Sequence, residues 1–429
     1  MKLSLLKRLG ARFIGMVGGE AMQSAFHFAL NIALVQLMAP QDYGVFAIVM
    51  VIGGLGLTYV RAFCGMPASI YIGRSHSRRA AGAYDVTFGS GALVLSAVLG
   101  LVTAAAMGFW NPPCAWLAGG FVALWCLRSY LRMAMFAFAL QRAVVVADTA
   151  FTLAGAVLAL ALLPSAIDNR LQAALTVLLA ANGLGVLAQL LLARRPMRFS
   201  LGAPVRRRYG RLWHQLGWSG ISVTTANLQG QALSLLVAGF AGPAAYAPIA
   251  AGLVLFVPLR IIATALANLM QPIVAAHVSR GETARMWQQA WAWSLLMAAL
   301  ALAYGAVALL ALPYVKMQVF SGTPIYLIGF SCWAIFTATM LYVMPRLILE
   351  AAGAFRQIAV ITALGAAAGF VLVCLALVSG PPVWSLVGAF VSEICVLLAC
   401  WEAVRRMFPQ HGTLGKHSGP SLALPVAKP

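Results

Sequence analysis

The chain has 429 residues, 62% of them hydrophobic and 9% charged, with a formal charge of +20 and a mean hydropathy of +0.91. Soluble domains carry roughly 25% charged residues, so an ordinary globular protein is excluded. Apolar runs long enough to cross a bilayer recur from end to end, and in lipid such runs must satisfy their backbone groups as helices; the composition implies an all-α polytopic membrane protein.

Taken in chain order, the runs predict twelve transmembrane helices: 13–38, 43–72, 85–108, 115–139, 144–164, 171–193, 215–240, 246–277, 287–311, 322–345, 357–379 and 383–404. Span 1 carries Glu20 and His27, seven residues apart and therefore on one helical face. Glu20 interrupts its apolar stretch and no small-residue cleavage site follows, so the segment is not read as a secretory leader. Between spans 1 and 2 stands "APQDYGVFA", the pattern P-x-x-Y-x-x-x-A formed by Pro40, Tyr43 and Ala47. Arg61 lies midway along span 2. Arg128 sits thirteen residues into span 4, close to mid-bilayer, with Arg132 one turn on. Asp148 lies one turn into span 5 and is expected to pair with Arg142 or Arg132.

A basic stretch, 194–214, separates the first six spans from the second six. Between spans 7 and 8 the turn returns as "GPAAYAPIA", with Pro243, Tyr246 and Ala250 displaced by 203 residues from the first copy. An even number of spans separates the copies, so they share one orientation and imply a parallel repeat, two six-helix lobes around a central cavity. The expected organisation is a lobe at 1–193, a linker at 194–214, a lobe at 215–404 and a disordered cytoplasmic tail at 405–429. Under the 203-residue offset Arg260 of span 8 maps to Leu57, one turn from Arg61. Glu393 falls near the middle of span 12.

With the N-terminus inside, 23 of the 29 Lys and Arg fall in cytoplasmic segments, two outside (Arg170 and Lys316) and four within spans. That asymmetry follows the positive-inside rule, so the charge reads as topology and attraction to membrane lipids rather than as a nucleic-acid surface. Both termini are expected in the cytoplasm and the protein in the inner membrane. Six of the seven Cys lie in spans, and no CxxC or ligand-spaced Cys/His set indicates a disulfide framework, a metal or another cofactor.

The stretch "LVQLMAPQDYGVFAIVMVIGG" resembles the signature of the polysaccharide transporter family, the Wzx-type flippases of lipid-linked oligosaccharides, within the superfamily that also holds multidrug and toxin extrusion proteins. "AGLVLFVPLRIIATALANLMQPIVAAH", "LEAAGAFRQIAV" and "SLVGAFVSEICVLL" resemble the family's eighth helix, the loop before its eleventh and its last helix. The family often carries an Arg shortly before the first turn, where this chain has Gln36-Leu37-Met38-Ala39, so no role for that Arg carries over. The resemblance implies a non-enzymatic flippase for a polyprenyl-pyrophosphate-linked oligosaccharide, working by alternating access with other polysaccharide-assembly proteins as partners.

An ionisable group at membrane depth costs about 2.5–3.5 kcal/mol on insertion scales and so marks function. Arg61, Arg128, Arg132 and Arg260 are the candidates to meet the pyrophosphate, because the guanidinium fork matches phosphate oxygens and stays charged; snorkelling toward the surface competes with that role, most of all for Arg132. Glu20, His27 and Glu393 are the candidates for coupling to an ion gradient, each weighed against a purely structural contact. The alternatives are an ion-coupled drug exporter of the same fold, against which four intramembrane arginines argue, and a membrane polymerase or glycosyltransferase, against which the minimal outer loops and the absence of D-x-D argue. A major-facilitator transporter is disfavoured by "GRSHSRRAAGAYD" after span 2, which lacks that family's loop pattern.

Overall fold

The computed structural model describes residues 19, 22–73, 75, 77–166, 169–193, 199–312 and 318–409, which form helices and connecting turns with no strand among them. Helix α1 covers 22–37. Helix α2 runs Pro40–Val60, passes through a π-helical turn at Arg61–Gly65 and continues as Met66–Gly73. Helices α3 (Arg78–Trp110), α4 (Ala115–Ala137), α5 (Gln141–Leu162) and α6 (Arg170–Ala193) complete the first half. The second half holds α7 (Ala203–Ala241), α8 in two segments (Pro243–Leu255 and Val257–Arg280), and α9 (Thr283–Ala311). It closes with α10 in two segments (Ile325–Leu341 and Val343–Ala351), α11 (Phe355–Ser379) and α12 (Ser385–Met407).

Local chemistry accounts for the ends. Pro40 and Pro243 open α2 and α8 at the first helical position, where the missing N–H costs nothing and the fixed φ already suits a helix. Ser77 caps α3 by accepting from the Ala80 N–H. At the corner between α8 and α9, Gly281 takes φ 68° and Glu282 accepts from His277 at 2.7 Å. That bond, aided by Arg285, holds the Glu282 carboxyl below its ordinary range.

Among the described residues nine helices are long and apolar enough to cross a bilayer, or ten when the two segments of α8, bent by 44°, count as one span. The predicted span 13–38 is described from residue 22 onward apart from Gly19, and the predicted span 215–240 lies inside α7. Exposed Leu153, Leu160, Val307, Leu310 and Val378 give the bundle the apolar exterior that lipid requires.

The helices pack as two lobes. In the first, α3 lies on α4, α5 on α6, and α4 bridges to both α2 and α6. In the second, α11 packs on α12 and α7, and α10 packs on α8, α9 and α12. The lobes join along a narrow seam, with α2 and the start of α3 on one side and α7 and the first segment of α8 on the other.

One expectation changes. The basic stretch taken as a loop between lobes is helix from Ala203 onward, continuous with the span that follows it. Its opening turns dock back on the first lobe: Arg208 donates to the Ala83 carbonyl at 3.0 Å and to Thr87 at 3.1 Å, and the Ser200 N–H donates to Ser90 at 2.9 Å. Helix α12 likewise runs to Met407, past the expected start of the tail; residues 410–429 lie outside those described.

Candidate functional site

The seam is built from the repeated turn. Gly44, just after Tyr43, meets Pro243, the first residue of the second copy; a Cβ on Gly44 would lie 1.9 Å from the Pro243 carbonyl oxygen. Tyr43 and Tyr246 are both buried beside this contact. Further along α2 the seam turns polar. Asn227 donates to Thr58 at 2.7 Å, the hydroxyls of Tyr59 and Thr224 lie 3.0 Å apart, and the Phe63 ring covers Gly220. These residues were not singled out in the sequence, although "TTANLQGQ" inside an expected span is a polar run that hydrocarbon would not tolerate.

Arg61 opens the π-helical turn immediately beyond that polar seam, and π-turns inside helices are frequent at functional sites. Its side chain is exposed, as is that of Arg260 near the start of the second segment of α8. Among the described residues neither guanidinium has a hydrogen-bonding or carboxylate partner. At 1.5 Å per residue, Arg61 and Arg260 stand about 27 and 21 Å along their helices from Tyr43 and Tyr246. Measured from the repeated turns across a core of about 30 Å, Arg260 falls in the far half of that core and Arg61 near its far boundary, on the two helices that meet at those turns.

Arg128 and Arg132 have a different setting, inside the first lobe. Arg128 is 4% exposed. Its Nε donates to Asn182 Oδ1 and its NH2 to Gln23 Oε1, both at 2.9 Å, while NH1 lies 3.6 Å from Asp148. The guanidinium also stacks 3.7 Å from the centroid of Phe151, a cation–π arrangement. Gly185 makes room for this side chain, since a Cβ there would fall 2.7 Å from Arg128 Cδ. Arg132 donates from Nε to Asp148 Oδ2 at 2.9 Å, one of the two pairings expected from the sequence. Four helices thus converge on one buried cluster, with α1 supplying Gln23, α4 the arginines, α5 Asp148 and α6 Asn182. His27 is packed beside it against Phe26, Trp125 and Phe151, and its two ring nitrogens are buried without a described hydrogen-bond partner. Glu20 lies outside the described residues.

Glu393 occupies the corresponding interior of the second lobe. Its carboxylate is 7% exposed and accepts from Thr339 at 3.1 Å, with Tyr342 and Gln229 beside it and Arg346 within electrostatic reach. Gln229 lies on α7 half a turn from Asn227, so one helix touches both this carboxylate and the partner lobe. Among the described residues no cluster of His, Cys, Asp and Glu could hold a metal ion.

No protein-family model and no curated protein matches the sequence. Solved structures do match over nearly the full chain. An inward-facing multidrug resistance MATE family transporter of the MOP superfamily aligns at a TM-score of 0.68 and 12% identity, covering 90% of this chain and 94% of that one. An outward-facing structure of such a transporter gives 0.59 at 13% identity, over 92% and 94%. The lipid II flippase MurJ, in an inward closed conformation, gives 0.62 at 8% identity, over 90% and 86%. The chain therefore has the two-lobed fold of these membrane transporters, and its structural neighbours are transporters and flippases rather than enzymes.

Proposed function

We propose that this protein is a flippase that carries a lipid-pyrophosphate-linked oligosaccharide across the inner membrane by alternating access of its two lobes. The observation that carries the reading is the pair Arg61 and Arg260, exposed on the two helices that meet at the repeated turns, with guanidinium groups bonded to nothing among the described residues. A pyrophosphate entering hydrocarbon must exchange water for fixed cations, and guanidinium groups supply both charge and a matching donor fork. An organic cation would be repelled by the same pair. The likeness to a protein named as a lipid flippase supports the reading at the level of fold.

In this proposal Arg61 and Arg260 are the direct ligands. Arg128 and Arg132, engaged by Asp148, Gln23 and Asn182, position α4, α5 and α6 and would meet the substrate only after the lobe rearranges. The lobes touch at the repeated turns, which the charge asymmetry assigns to the outer face. The arrangement then corresponds to a cavity closed outside, from which an inner-leaflet headgroup is collected.

A second reading, an ion-coupled exporter, is favoured by the buried carboxylate of Glu393, which adjoins the helix forming the seam. The two are compatible in one respect: Glu393 and His27 serve equally as ion-coupling groups for a flippase. The test of the main reading is the double variant Arg61→Ala with Arg260→Ala in cells that make a surface polysaccharide. Surface glycan should be lost while membrane abundance stays near normal, and the double Lys variant should recover part of it. Normal glycan export by the Ala variant overturns the reading.

A further inference from the structure

The opening turns of α7 leave a groove against α3 that neither the repeat nor the proposed substrate path uses. Its volume is about 410 Å³; Val94, Leu95 and Val98 form one wall, Leu201 and Val205 the other, and Arg206 stands at its rim. Val94 and Val98 are 41% and 49% exposed, so the groove is open sideways. Arg206 is itself exposed, as are Arg207 and Arg211, and Arg206 has no partner among the described residues. No Asp or Glu occurs between residues 199 and 241 to compensate these charges.

Depth gives the groove its chemistry. Helix α3 is 33 residues long, more than the bilayer core requires. Exposed Phe109 and Trp110 at its far end, with Trp116 at the start of α4, mark one headgroup level, where aromatic side chains anchor. About 20 residues, the length that crosses the core, lead back from Trp110 to Ser90, which lines the groove beside Arg206. Arg206 is therefore at headgroup level on the opposite side, while Val94 and Val98 lie one and two turns deeper, at acyl-chain level.

We propose that this groove is a binding site for one anionic phospholipid, its phosphate held by Arg206 and one acyl chain lying along Val94 and Val98. The neighbouring exposed Arg207 repels the quaternary ammonium of a choline headgroup, so phosphatidylglycerol, whose phosphate is its only charge, is preferred over a zwitterionic lipid of the same chains. Because α3 belongs to one lobe and α7 is rooted in the other, the lipid bridges them and holds the docked arrangement in which Tyr209 sits under Gly91.

The full chain in detergent, titrated with dioleoylphosphatidylglycerol and read by native mass spectrometry, should retain one copy. Dioleoylphosphatidylcholine should bind roughly tenfold more weakly, the worth of one charge-assisted contact. Arg206→Ala should bring the first lipid to the level of the second. Val94→Trp, at a position 41% exposed, should block both, whereas Arg211→Ala, on the same segment as Arg206 but off the groove, should change little. Equal retention of the two lipids, or equal losses in Arg206→Ala and Arg211→Ala, overturns the site, as does displacement of the lipid by inorganic phosphate.

Discussion

Gly44 and Pro243 are in backbone contact, so close that a Cβ on Gly44 would lie 1.9 Å from the Pro243 carbonyl oxygen. The first copy of the repeated turn is thus pressed against the second, and the repeat forms the closure between lobes. A side chain at position 44 cannot coexist with that closure. In a cysteine-free background, Tyr246→Cys should resist a membrane-impermeant maleimide, because Tyr246 is 2% exposed. Adding Gly44→Val should make it react and should stop transport. Unchanged labelling would mean that the contact is not what closes this end.

The cluster around Asp148 makes a stability prediction. Its carboxylate sits between Arg128 and Arg132 with a side-chain exposure of 1%. Removing one partner of a buried ion pair typically costs about 3–5 kcal/mol, because the other charge is left uncompensated. Asp148→Asn should therefore lower the melting temperature in detergent and the amount of protein in the membrane. Combining it with Arg132→Gln should restore part of the loss. If Asp148→Asn melts like the parent, the cluster does not organise the lobe.

The polar seam makes a milder one. Asn227→Ala removes one hydrogen bond to Thr58, a contact worth about 1 kcal/mol, in a stretch where α7 and α2 exchange side-chain bonds. The variant should accumulate normally but shift the balance between lobe arrangements, seen as altered distance distributions between spin labels on α3 and α9. Distributions identical to the parent would show that the seam holds no preference between states.

Ion coupling is tested at the two interior candidates. If Glu393 or His27 carries the coupled proton, Glu393→Gln or His27→Gln should leave transport insensitive to an imposed pH gradient. Basal exchange without the gradient should persist. A gradient response equal to that of the parent in both variants would remove coupling from these positions.

Much of this architecture is legible in the chain. The helices follow from apolar runs of about 20 residues, because a bilayer leaves the backbone no alternative. Asp148 is expected beside Arg132 or Arg142 because these residues stand near the ends of helices joined by a short turn, and it pairs with Arg132. The rest escaped for physical reasons. Gln23 and Asn182 reach Arg128 across 105 and 54 residues of sequence, and no local pattern announces a contact fixed by how four helices cross. The depth of Arg128 was readable, but its enclosure was not. The basic stretch before α7 looked like a loop because it is charged, yet a helix with one face on α3 and the other in water or headgroups tolerates charge well. The π-helical turn at Arg61 left no trace in composition, since it changes the hydrogen-bond register of the backbone rather than its residues.

The most direct test of the central claim uses purified protein in lipid vesicles containing a polyprenyl-pyrophosphate-linked oligosaccharide, with lipid on the outer leaflet cleaved by an added impermeant pyrophosphatase. The parent protein should expose the inner-leaflet half to cleavage, and vesicles holding the Arg61→Ala, Arg260→Ala variant should stop near the half that empty vesicles show. Cleavage that goes to completion with the double variant, or that stops at half with the parent, would contradict a flippase working through these two arginines.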